Sequence, residues 1–234
     1  MKRRASPGQA RGFTLIELLI AIALLALMAL MSWRGIDSMV RAQVQTRERG
    51  DALLTLQSAL GQWGADLDAI EPLPFTLPID WDGQVLRITR HSSASASDGA
   101  LVVAWSQRNV DGSSQWLRWQ SAPVTTRSEW QSAWDQAAVW ARTPGETQRM
   151  REVVLLPIAQ WQIYYYRENA WSNPLSSAGS AAAAQEIGDA AALAKARNAV
   201  PDGVRLQIDL PPGSGLAGQL TRDWVNPLSA ASRS

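Results

Sequence analysis

The sequence predicts an α+β protein in which one long N-terminal helix packs against an antiparallel β-sheet head. Three observations carry that expectation. An apolar run starting at Phe13 passes without a break into residues spaced three and four apart. That pattern stops at Glu71-Pro72-Leu73-Pro74. Beyond it lie β-branched and aromatic runs separated by Asp-Gly pairs.

The first half of the helix has the dimensions of a bilayer. Residues 13–33 are 21 positions with one charge, Glu17, and a helix of that length covers roughly 30 Å. Lys2, Arg3, Arg4 and Arg11 all precede it, so the positive-inside rule keeps the first dozen residues cytoplasmic and sends the remainder across the membrane. Met31-Ser32-Trp33-Arg34 offers no small-residue cleavage site, so the run reads as an anchor and not as a secretory signal. Glu17 stands out within it. A carboxylate at the bilayer centre costs about 2.5–3.5 kcal/mol, although a position five residues into the run leaves snorkelling to the interface open.

The second half is amphipathic. Leu53, Leu56, Leu60, Trp63, Leu67 and Ile70 recur at helical spacing, with Arg47, Glu48, Arg49, Asp51, Gln57 and Gln62 among the polar positions. Proline then removes a backbone donor and biases the residue before it away from helix. A helix over 13–70 would measure about 87 Å, with Gly35, Gly50, Gly61 and Gly64 as sites where it could bend.

The head reads as strands at 85–89, 101–105, 116–120, 153–166 and 204–210. Turn signals separate them at Asp82-Gly83, Asp98-Gly99, Asp111-Gly112 and Asp202-Gly203. One helix interrupts at 128–142, with Thr126 and Glu129 in capping-box relation. Residues 173–198 are rich in Ala, Ser and Gly and read as a loop with one helical stretch at 181–197.

Twelve tryptophans divide between core and surface. Trp63 sits on the apolar helix face and Trp105, Trp116 and Trp119 lie in strand runs, where packing is the default role. Trp130, Trp134 and Trp140, on the short helix, are candidates for a partner-facing surface, since aromatics anchor interfaces.

Little here points to catalysis, and the expectation is a protein that is not an enzyme and takes no cofactor. Cysteine is absent, which excludes disulfides and thiol chemistry. His91 is the only histidine; it falls in a Ser-rich stretch that reads as a solvated loop, without a nucleophile motif beside it. Asp66, Asp68 and Glu71, and Asp80 with Asp82, have a spacing that would serve calcium, against the simpler reading of a wet helix end and an Asp-Gly turn. No metal is expected.

The basic leader, then Gly12-Phe13-Thr14, then Glu17 in an apolar run resemble the type IV pilin and pseudopilin family. That resemblance implies a pilin-like fold, cleavage by a prepilin peptidase between Gly12 and Phe13, and N-methylation of Phe13. It makes Glu17 the fifth mature residue, able to pair with a neighbouring subunit's new amine during assembly. The chain then divides into a leader at 1–12, a transmembrane and assembly helix at 13–33, an amphipathic spine at 34–71 and a periplasmic head at 72–234. Without its leader it holds 18 Lys and Arg against 21 Asp and Glu, a balance that argues against nucleic acid as a partner.

Within the family the body resembles the J-type minor pseudopilins of type II secretion, through Ile36-Asp37-Ser38-Met39-Val40-Arg41-Ala42, Thr46-Arg47-Glu48-Arg49 and the closing run at 204–210. The lack of cysteine leans the same way, because many pilins of type IV pili close a C-terminal loop with a disulfide. The implied setting is the bacterial inner membrane and the tip of a periplasmic pseudopilus. The implied partners are the I- and K-type minor pseudopilins, with the H-type, the secretin and exoproteins as further candidates. Two other readings stay open: a PilW-like minor pilin of a type IV pilus, and a membrane-tethered periplasmic enzyme or binding module.

Overall fold

The computed structural model describes residues 13–92, 99–175, 199–213 and 215–231. The chain divides into two compact units, Met1–Glu48 and Arg49–Ser234. The predicted leader, including Gly12, lies outside the described residues, as do most of the Ala-rich segment and its expected helix at 181–197.

Helix α1 (Leu15–Asp68) accounts for nearly all of the described part of the first unit and opens the second. In the first unit every described residue is exposed. The helix runs through Gly35, Gly50, Gly61 and Gly64 without interruption. It stops two residues earlier than the spacing predicts, because Ile70 leaves it to bridge Arg90 ahead of Pro72.

The second unit contains two antiparallel sheets. The first has five strands in sequential order: β1 (Ile79–Trp81), β2 (Val85–His91), β3 (Ala100–Val110), β4 (Ser113–Gln120) and β5 (Glu152–Pro157). Between β4 and β5 lie α2 (Arg127–Arg142) and the short α3 (Glu146–Arg149). The second sheet comprises β6 (Gln160–Arg167), β7 (Ala170–Ser172), β8 (Gly203–Leu210) and β9 (Gly218–Val225), in the order β7-β6-β8-β9. Helix α4 (Pro227–Ala231) follows.

The run at 153–166, which reads as one strand, is two strands in different sheets. Ile158 donates its amide to the Ser114 carbonyl of the first sheet at 3.0 Å, and the next amide, on Ala159, goes to the Asp209 carbonyl of the second at 2.7 Å. Pro157 sits at that corner, and proline inside an apparent strand is the available warning. His91 likewise closes strand β2 opposite Ala100 and does not sit in a loop, although it is exposed.

The first sheet is covered on both faces, which explains why β3 is buried along most of its length instead of alternating. Val103 and Trp105 join the core that contains Leu56, Trp63 and Leu67 of α1, while Val102 and Ala104 join the one that contains α2. The first core holds a chain of indoles: Trp63 meets Trp105 edge-on at 5.3 Å, Trp105 lies 4.6 Å from Trp116, and Trp81 meets Trp161 edge-on at 4.8 Å. Such pairs add about 0.5–1.5 kcal/mol each beyond their buried area.

Local chemistry fixes the connections. At the N-terminus of α2 the Thr126 hydroxyl accepts from the Glu129 amide, and the Glu129 carboxylate accepts from the Thr126 amide. Backbone bonds from Thr125 and then Thr126, with help from the Thr125 hydroxyl, hold that carboxyl below the ordinary glutamate value. Asp111 and Gly112, both at positive φ, form the two-residue turn between β3 and β4, where Val110 faces Ser113.

The turn from β6 to β7 has the same length but no glycine: Glu168 sits at φ 51° and Asn169 at φ 64°. A β-carbon is disfavoured there, least so for asparagine. Glu168→Gly is therefore expected to raise stability by about 0.5–1 kcal/mol, read from urea unfolding; an unchanged or lower midpoint would show the turn to be unstrained.

Candidate assembly surfaces

The N-terminus of α1 is closed by its own side chains. The Glu17 carboxylate accepts the Thr14 amide at 3.0 Å and the Thr14 hydroxyl at 2.9 Å, while the Glu17 amide approaches the Thr14 hydroxyl oxygen at 3.4 Å. This is a capping box with Thr14 as N-cap. Thr14 stands in the Gly12-Phe13-Thr14 motif, and Thr-x-x-Glu before an apolar run is also the signature of this cap, a role the motif alone does not reveal. Beyond it Leu15, Ile16, Leu18, Leu19 and Ile20 are all at least half exposed. The helix is long and apolar enough to cross a membrane.

Trp130, Trp134 and Trp140 do not form a partner-facing surface; this expectation is corrected. They are 5%, 4% and 0% exposed, because their spacing places them on the face of α2 that covers the first sheet. Trp130 donates to the Thr89 hydroxyl at 2.9 Å and Trp140 to the Glu152 carboxylate at 2.6 Å, while the Arg87 guanidinium lies 4.9 Å from the Trp134 ring. Trp63, Trp105, Trp116 and Trp119 are core residues, as expected.

Four of the carboxylates singled out for calcium, Asp66, Asp68, Asp80 and Asp82, are engaged within the chain. Asp66 is fully buried and receives Arg90 at 2.5 Å, Arg118 at 2.7 and 2.8 Å, and the Trp105 indole at 2.9 Å. Asp68 accepts from the Trp224 indole at 2.7 Å. Two residues apart at the end of α1, these groups tie the helix to different sheets: Asp66 to the first, Asp68 to the second. Asp80 pairs with Arg87 at 2.5 Å, and Asp82 accepts the Gln84 and Val85 amides at 2.9 and 2.8 Å in the β1–β2 turn.

A membrane-length helix with a capped start, followed by an antiparallel head built on its distal half, defines the pilin-like class. The prokaryotic N-terminal methylation motif matches residues 8–33, an interval that contains Gly12, Phe13 and Glu17. Within that class the chain is similar to type II secretion system protein J of Klebsiella pneumoniae, 35% identical over 72 residues, or 31% of this chain and 34% of that protein. The match thus spans about a third of the relative's length, and it supports the resemblance to the J-type pseudopilins.

Proposed function

We propose that this chain is a minor pseudopilin of a type II secretion system and performs no chemistry of its own. Prepilin peptidase cuts it between Gly12 and Phe13, Phe13 is methylated, and residues 13–33 hold it in the inner membrane with the head in the periplasm. It then joins the I- and K-type minor pseudopilins, with the H-type beside them, at the tip of a pseudopilus that serves export across the outer membrane; the secretin and exoproteins are further contacts. The observation that carries this reading is the coincidence of the methylation motif with similarity to a secretion J protein. The internal engagement of Asp66, Asp68, Asp80 and Asp82 supports a scaffold role.

Gly12 lets the backbone lie close in a protease cleft because it has no side chain. Gly12→Glu is expected to leave the precursor uncut, heavier by its twelve-residue leader on mass measurement, and to stop secretion. The wild-type chain should copurify from membranes with the I- and K-type subunits. Copurification with type IV minor pilins instead would move it into a pilus.

A further inference from the structure

Between α1 and β1 the chain makes a turn whose centre is Phe75, at φ 63°. Left-handed backbone is a genuine outlier for a bulky aromatic residue, and sites that keep such strain tend to be functional. Among the described residues nothing buries the ring. At 80% exposed it is the most exposed large apolar side chain among the described residues of the second unit. The turn is nevertheless firmly held. Leu73 and Leu77 on either side pack against the core beneath α2, and Thr76 bonds the Leu73 carbonyl through its amide at 3.3 Å and its hydroxyl at 2.9 Å. Pro72, Pro74 and Pro78 further restrict the backbone. The backbone that carries the ring is therefore held, so little loop freedom remains to be lost when something covers it.

A cation lies over the ring. The Arg127 guanidinium, at the start of α2, lies 5.5 Å from the Phe75 centroid. Among the described residues Arg127 forms no ion pair. Glu129, two residues on, is occupied with the Thr125 and Thr126 amides. An exposed aromatic backed by an arginine without an acid has the composition of an interface hot spot. Its charge specifies what must face it.

We propose that Phe75 and Arg127 form a docking knob for a protein partner whose surface offers an apolar socket with a carboxylate on its rim. The identity of that partner as another pilin-like subunit rests on the function proposed above; the knob itself does not. Phe75 should insert while Arg127 pairs with the rim carboxylate, which explains why a strained aromatic is retained in the open.

The test places the photo-crosslinking residue p-benzoylphenylalanine at position 75 of the full chain in its host membrane and identifies the adduct by mass spectrometry. Phe75→Gly and Arg127→Glu are compared by copurification of that adduct partner from detergent. Phe75→Gly relieves the backbone and is expected to melt no lower than the parent, yet to reduce partner recovery at least tenfold; Arg127→Glu is expected to match that loss. An adduct with a pilin-like subunit and both losses establishes the knob. An adduct with a protein of another class, with the same losses, keeps the knob and overturns the assembly reading of its partner. No protein adduct, an adduct with lipid alone, or recovery unchanged in both variants overturns the knob and leaves the secretion reading standing.

Discussion

Asp66→Ala is expected to remove about 3–5 kcal/mol of stability from the head. A thermal melt of the full chain in detergent, followed by tryptophan fluorescence, should fall by about 10 °C. The reason is arithmetic of charge in a dry place. Asp66 is fully buried, and the Arg90 and Arg118 side chains are 7% and 11% exposed. Removing the carboxylate strands two guanidinium groups, and also the Trp105 indole and the Gln62 amide that donate to it. The loss measures abandoned partners and not the net worth of the pairing, since a buried ion network replaced whole by apolar groups is often neutral. Arg90→Met and Arg118→Met added to the Asp66 variant should therefore restore most of the midpoint. A loss below about 1 kcal/mol for Asp66→Ala would show that water reaches the cluster and that α1 is held by its apolar face alone.

The same cluster shows where sequence reading reaches its limit. The long helix was legible because its apolar run and its 3-and-4 spacing are local, and α2 was legible down to its capping box. Asp66 read as a wet helix end because its partners lie 24 and 52 residues away, a pairing that no local pattern announces. The indoles of α2 were a different failure. Trp130, Trp134, Ala137 and Ala141 follow the spacing of an inward face, so the pattern itself pointed to the core. Strands β1 and β7 have three residues each, too few for alternation to register. Strand β9 buries only Trp224, and a mostly wet edge strand has no apolar face to read. The Phe75 turn left no signal beyond its prolines, since nothing in the residue type predicts a positive φ.

Glu17→Gln is the substitution that separates the helix cap seen in the single chain from the charge pairing proposed for the assembly. In the single chain Glu17 completes the Thr14 cap, and glutamine serves at that position of a capping box nearly as well as glutamate. If capping were its whole task, Glu17→Gln would assemble normally and only Glu17→Ala would fail. The proposed pairing with the new amine of a neighbouring Phe13 needs the charge, because a neutral amide leaves that ammonium without a counter-ion as the helices stack. An unpaired charge in that setting costs about 2.5–3.5 kcal/mol, which corresponds to about 100-fold in an equilibrium. Both variants should therefore be cut at Gly12 and recovered from membranes at parental levels, and both should enter sheared pseudopilus fractions about 100-fold less than the parent. Normal assembly of the glutamine variant would make Glu17 a helix cap and remove the charge pair from the mechanism. Loss of cleavage in either variant would place the carboxylate in recognition by the peptidase instead.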